Sequence, residues 1–292
     1  AMVEGAQVDF DTAMRIESRY LAGLMTSPVA KNMINTFFFN LNAIKSGQSR
    51  PDPSTGSGRT GKFTPQKVGI LGAGMMGAGI AYVSAMAGIE VVLIDSSQEA
   101  AERGKSYSTG LLDKAISRGK STEEKKTELL SRITPTTDYA ALAGCDLIVE
   151  AVFEDPSVKA EVTKKAEAAI PADAIFATNT STLPITGLSE AAERPANFIG
   201  IHFFSPVDKM MLVEIILGEK TGPAAIAKAI DYVLKIKKTP IVVNDSRGFY
   251  TSRCFSTFLM EGMAMLEEGY APALIDNVGR MTGMPRGPLE MH

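Results

Sequence analysis

Histidine is scarce in this chain. Of its 292 residues only His202 and His292 are histidines, so imidazole chemistry inside the fold has one candidate, His202. Cysteine is as rare: Cys145 and Cys254 have no CxxC partner, which excludes a disulfide framework and suits a reducing compartment. Charge of one sign is missing too. With 30 Lys and Arg against 33 Asp and Glu the net charge is −3, so no basic surplus favours nucleic acid or an anionic membrane. No apolar run approaches the ~18 residues needed to span a bilayer. The first residues also lack the basic start and apolar stretch of a signal peptide. The cytoplasm is therefore the expected location.

Apolar residues make up 45% of the chain and charged residues 22%, a globular composition. At this length two domains are expected. Folding should bury roughly three quarters of the extended-chain surface, with no disulfide or metal needed as a staple. The chain stops straight after a Pro/Gly turn, at Pro288–His292, and reads as a piece of a longer protein.

Residues 1–45 read as a helical segment. Leu21, Leu24, Met25, Met33, Ile34, Phe37, Phe38 and Leu41 recur at helical spacing, with a break at Ser27–Pro28. Phe37–Phe39 suits core packing, with a partner-docking patch as the other reading. Residues 46–65 are rich in Ser, Gly and Pro and read as a flexible linker. From 66 to 245 short apolar strands alternate with helices, which predicts a mainly parallel, doubly wound α/β sheet of the Rossmann type. Residues 246–292 read as the start of an all-helical domain.

Gly72-Ala73-Gly74-Met75-Met76-Gly77 is a G-x-G-x-x-G turn. A strand precedes it, a helix opens on it, and Asp95 closes the next strand, which is the context of a dinucleotide site. Gly72 permits the tight turn, Gly74 lets the pyrophosphate approach, and Gly77 lets helix and strand pack closely. Asp95 suits the ribose hydroxyls and repels a 2′-phosphate, so the cofactor expected is NAD.

His202 and Glu214 flank a segment too short for a parallel crossover, so their strands should pair antiparallel. Taking Asp208 as the turn's centre, the two face each other at roughly 5 Å between Cβ atoms. A carboxylate there would hold the imidazole's tautomer and brace its charge. Residues 177–182, Ala-Thr-Asn-Thr-Ser-Thr, close a strand at the carboxyl edge of the sheet, where they could orient a substrate oxygen or cap the next helix.

The strings GILGAGMMGAGIAYVSAMAGIEVVLID, DLIVEAVFED, FATNTSTLPIT, IGIHFFSPVDKMMLVEII and PIVVNDSRGF resemble the L-3-hydroxyacyl-CoA dehydrogenase family. They are most similar to the dehydrogenase part of the multifunctional fatty-acid oxidation α-subunit. The resemblance implies that His202 is the catalytic histidine, Glu214 its partner, and Ser181 the serine touching substrate hydroxyl and nicotinamide. It implies cofactor contacts at Met75, Met76, Asp95, Val152, Phe153, Glu154, Lys159 and Ser205, and substrate contacts at Ser252 and Arg118. Arg118 also suits a surface salt bridge. Many relatives have Asn where this chain has Ser205 and Ser252. The implied activity is NAD-dependent oxidation of L-3-hydroxyacyl-CoA in fatty-acid β-oxidation. The resemblance also implies a parent with hydratase and isomerase activities, oligomeric and paired with a thiolase subunit. The alternatives are a β-hydroxyacid dehydrogenase acting on free acids and a non-catalytic NAD-binding module of a larger complex.

Overall fold

The structure is a computed structural model that describes residues 1–47 and 62–291. The chain forms two compact units, Ala1–Arg50 and Pro51–His292. Most of the expected linker lies outside the described residues. Its last residues do not behave as linker: Pro65 is buried, the Phe63 N–H donates to the Asp231 carboxylate at 2.8 Å, and Lys228 lies over the Phe63 ring.

The first unit is helical: α1 (Met2–Gly5), α2 (Phe10–Thr26), α3 (Pro28–Ile34), a π-helical stretch (Asn35–Asn40) and α4 (Leu41–Lys45). Asp9 caps α2 by accepting from Thr12 N–H. Pro28 forces Ser27 out of the helical region, and Ser27 then caps α3 through its hydroxyl. No residue of these helices is buried, and Phe37, Phe38 and Phe39 are all more than half exposed. The core packing expected of them is therefore not made among the described residues.

The second unit is built on eight strands: β1 (Lys67–Leu71), β2 (Glu90–Ile94), β3 (Ile133–Thr136), β4 (Leu147–Glu150), β5 (Ile175–Thr178), β6 (Phe198–Phe203), β7 (Leu212–Leu217) and β8 (Thr239–Asn244). Their order is β3-β2-β1-β4-β5-β6-β7-β8. All neighbours are parallel except β6 and β7, which are antiparallel. Alternate residues feed two cores: Val68, Ile70, Leu147 and Val149 face one way, Leu71, Ile148 and Phe176 the other. Near-continuous apolar strands follow from burial on both faces.

The helices of this unit are α5 (Met75–Met86), α6 (Gln98–Ser117), α7 (Glu123–Ser131), α8 (Pro156–Glu167), α9 (Ile185–Leu188), α10 (Pro223–Lys235), α11 (Thr251–Glu267) and α12 (Pro272–Met281). Strand order reverses beside β1, between β2 and β4, so the carboxyl ends of β1, β4 and β5 open onto the crevice where such sheets bind ligands. No helix among the described residues is long and apolar enough to cross a membrane.

Candidate active site

The glycine turn is a bare cradle. Gly72 sits at φ +91°, and a Cβ there would lie 2.6 Å from the Ala151 carbonyl oxygen. A Cβ on Gly77 would lie 1.7 Å from the Gly72 carbonyl oxygen, so helix α5 can seat on β1 only with glycine at that position. Gly74 is different: nothing lies within 4 Å of where its Cβ would be. It is the N-cap of α5 and no side chain caps the helix, which leaves amide donors and the positive dipole end facing open space. Asp95 Oδ2 accepts the Ala73 N–H at 2.7 Å, tying the end of β2 to the turn. A crevice of about 780 Å³ is lined by Gly72, Gly74, Met75, Met76, Asp95, Val152 and Phe153. Uncapped amides, open space over Gly74 and a carboxylate at the ribose position fit a dinucleotide.

Backbone register brings His202 opposite Glu214. His202 Nδ1 and Glu214 Oε2 are 2.8 Å apart, and Glu214 is fully buried. Burial alone would raise the Glu214 pKa. Hydrogen bonds from His202 and from the amide and hydroxyl of Thr251 outweigh it and hold the carboxyl below its ordinary range. A carboxylate in that state has no hydrogen to give, so Nδ1 carries the shared one and neutral His202 presents a bare Nε2. The imidazole packs between Phe204 and Phe249, at ring-centre distances of 4.6 and 5.9 Å.

Ser181 lies on the loop after β5. Its hydroxyl has no partner among the described residues, and its N–H donates to Glu154 Oε1 at 3.0 Å. Glu154 also accepts from the Thr180 hydroxyl and pairs with Lys159 at 3.2 Å. Partial burial opposes the charge on Glu154, but these partners hold its pKa below the ordinary range. Lys159, expected to touch the cofactor, is only 2% exposed and is paired with Glu150 at 2.8 Å as well as with Glu154. It is enclosed by those two carboxylates. Nor does the 177–182 cluster cap α9: Asp245 does that, accepting from Ile185 and Thr186 N–H. Asn179 Oδ1 instead accepts the Phe203 N–H.

Ser205 Oγ approaches Met75 Sδ at 3.6 Å, so the loop after His202 reaches the glycine turn. Ser252 is half-buried in the first turn of α11. Arg118 is not drawn into this site. It is exposed at the C-cap of α6, about 30 Å of helix from Ser97, and its side chain makes no ion pair among the described residues.

Sequence reasoning missed Thr251 and Tyr250, whose N–H groups donate to Glu214 Oε1 at 2.9 and 3.1 Å. It also missed Tyr107, whose hydroxyl donates to Asp208 Oδ1; burial and that carboxylate push its pKa up to about 12. Lys238 was missed too. Its ammonium donates to the carbonyls of Val207 and Met210 and holds the β6–β7 loop. Their local sequence carries no signal: Tyr107 lies between two serines, Lys238 between Lys237 and Thr239, and Thr251 between Tyr250 and Ser252.

Residues 67–246 match the NAD binding domain of 3-hydroxyacyl-CoA dehydrogenase, and residues 248–292 match its C-terminal domain. The chain belongs to the 3-hydroxyacyl-CoA dehydrogenase family. As in that NAD-dependent family, its cofactor is NAD. The chain is 37% identical over 278 residues to the fatty acid oxidation complex subunit alpha of Psychrobacter arcticus, covering 95% of itself and 38% of that protein. The Psychrobacter cryohalolentis subunit matches to the same extent, so this 3-hydroxyacyl-CoA dehydrogenase chain spans little more than a third of those relatives' length. Among solved structures it is similar to (S)-3-hydroxybutyryl-CoA dehydrogenase of Ralstonia eutropha. That match has TM-score 0.76 and 36% identity, over 78% of this chain and 81% of that one. The 3-hydroxybutyryl-CoA dehydrogenase of Escherichia coli K12 matches at TM-score 0.76 and 35% identity, over 78% of this chain and 49% of that one.

Proposed function

We propose that this chain oxidises L-3-hydroxyacyl-CoA thioesters to 3-oxoacyl-CoA, the dehydrogenase step of fatty-acid β-oxidation. The observation that carries the reading is the His202–Glu214 pair, 2.8 Å apart, on a strand whose following loop reaches the glycine turn through Ser205 and Met75.

Bound NAD supplies the two-electron acceptor. Gly74 and the uncapped amides of α5 would hold its pyrophosphate, and Asp95 its ribose. Ser181, its amide pinned by Glu154, orients the substrate hydroxyl. His202 Nε2 takes the hydroxyl proton and becomes an imidazolium whose Nδ1–H stays on Glu214. The buried carboxylate balances that charge, so it need not be stabilised by water. Ser252, at the start of α11, contacts the substrate, and Arg118, exposed at the C-cap of α6, contacts the distant CoA portion.

The reading extends to a longer parent protein, with enoyl-CoA hydratase and isomerase activities in the part of the relatives' length that this chain does not span, and a cytoplasmic assembly with a thiolase subunit. The name of the Psychrobacter relatives, a complex subunit, supports a multi-subunit assembly. Against a role on free acids stand relatives named for CoA thioesters. Against a non-catalytic NAD module stands a buried imidazole held at Nδ1 by Glu214, with Nε2 left bare.

The test is NADH formation from L-3-hydroxybutyryl-CoA, longer L-3-hydroxyacyl-CoAs and free 3-hydroxybutyrate, with His202→Gln beside the unmodified chain. The thioesters are the expected substrates. His202→Gln should lose roughly 10²–10⁴-fold in turnover with NAD affinity kept. Turnover of the free acid alone, or an undiminished His202→Gln, would overturn the reading.

A further inference from the structure

Glu214 is satisfied from outside its own domain. Of the four donors on its carboxylate, one is His202 Nδ1; the other three are Tyr250 N–H, Thr251 N–H and the Thr251 hydroxyl. Those three come from the segment that opens the C-terminal helical region. The same segment inserts the Phe249 ring beside the imidazole, with Phe249 buried and held at φ +49°. A positive φ on an aromatic residue is a strained backbone that persists only where surrounding contacts over-determine it. The Thr251 hydroxyl stands out because it sits 2.9 Å from Oε2, the same oxygen that holds Nδ1.

We propose that Thr251 is a positioning residue for the base: its hydroxyl shares Glu214 Oε2 with His202, turning the carboxylate toward the imidazole and tempering its pull on the proton. The proposal rests on His202 acting as the base, and it adds a dependence on the C-terminal segment that the dyad alone does not have. A carboxylate has about four acceptor sites, and here all four are used. No water can enter and no proton can settle on Glu214 without breaking one of these bonds. Remove the hydroxyl and more of the carboxylate's charge falls on the imidazole, so His202 keeps its proton to higher pH. Among the described residues, His202 is the one Coulombic partner of Glu214. β8 places Ile241 opposite Glu214, and Phe204 and Phe249 cover the ring.

The experiment compares Thr251→Val, Thr251→Ala and Thr251→Ser with the unmodified chain, by the pH profile of kcat/KM for L-3-hydroxybutyryl-CoA and by the proton NMR signal of the His202 Nδ1–H. Val and Ala should move the acid limb of the profile up by about 0.5–1 pH unit, shift the Nδ1–H signal downfield, and leave KM for NAD unchanged. Ser should keep both readouts at their original positions. Only two histidines are present, so a His292→Gln background assigns the signal. A lower stability or rate with both readouts unmoved would overturn the proposal, and so would a Ser variant that behaves like Val. The NMR readout needs no turnover. A chain inactive on thioesters that still shows the shift would therefore overturn the functional reading and leave Thr251's role standing.

Discussion

Asn179 Oδ1 accepts the backbone N–H of Phe203 at 2.8 Å. One hydrogen bond thus fastens the loop that carries Ser181 to the strand that carries His202, at the point where pairing between β5 and β6 has ended. The Asn179 N–H is itself held by the Glu150 carbonyl at 2.7 Å, so the side chain is aimed by its own backbone.

Asn179→Ala should therefore leave the Phe203 N–H without its partner. The expected loss is about 1–3 kcal/mol of stability, read from the urea midpoint. Turnover should fall roughly tenfold as Ser181 and His202 lose their common reference. A variant that loses stability but keeps full turnover would show that the bond only holds the fold.

Gly74 and Gly77 should fail in different ways. Gly74→Ala introduces a Cβ that meets no protein atom within 4 Å, at a φ of −64° that alanine accepts. Its melting temperature should be unchanged while NAD affinity, measured by calorimetry, falls at least about tenfold. Gly77→Ala places a Cβ 1.7 Å from the Gly72 carbonyl oxygen and should destabilise the whole domain by about 1–3 kcal/mol or more. Equal effects from the two substitutions would contradict the assignment of Gly74 as the open cradle.

Lys159 and Glu150 form an ion pair that is nearly absent from the surface, at 2% and 1% exposure. Thr178 Oγ1 and the Val152 N–H also bind Glu150. Lys159→Met leaves the carboxylate buried without its counter-charge, at an expected cost of about 3–5 kcal/mol. Glu150→Gln combined with Lys159→Met should recover most of that. Thermal unfolding of the single and double variants measures the difference.

Acid stability follows from Glu214 and Glu154, whose folded pKa values both lie below the ordinary 4.5. For carboxyls depressed in the folded state, the stabilisation is complete above the unfolded value and is lost as pH falls through the folded one. Urea midpoints should be level from neutral pH to about pH 5 and drop below about pH 4. Glu214→Gln, having no charge to lose there, should show a shallower drop, although it starts from lower stability.

Local chemistry made a large part of this protein legible. The glycine turn, the apolar strand before it and Asp95 after it depend on backbone conformation and alternation within some 25 residues. The His202–Glu214 opposition followed from the length of one hairpin. Both are short-range consequences of period and turn geometry, so they could be read without any knowledge of what packs against them.

The partners of the buried polar groups were decided only when distant elements met. Thr251 reaches Glu214 across 37 positions. The 177–182 hydroxyls do not cap α9 because Asp245, some sixty positions away, accepts those amides instead. A buried donor must find an acceptor wherever the fold supplies one. No spacing along the chain specifies that acceptor, so the choice belongs to the tertiary structure.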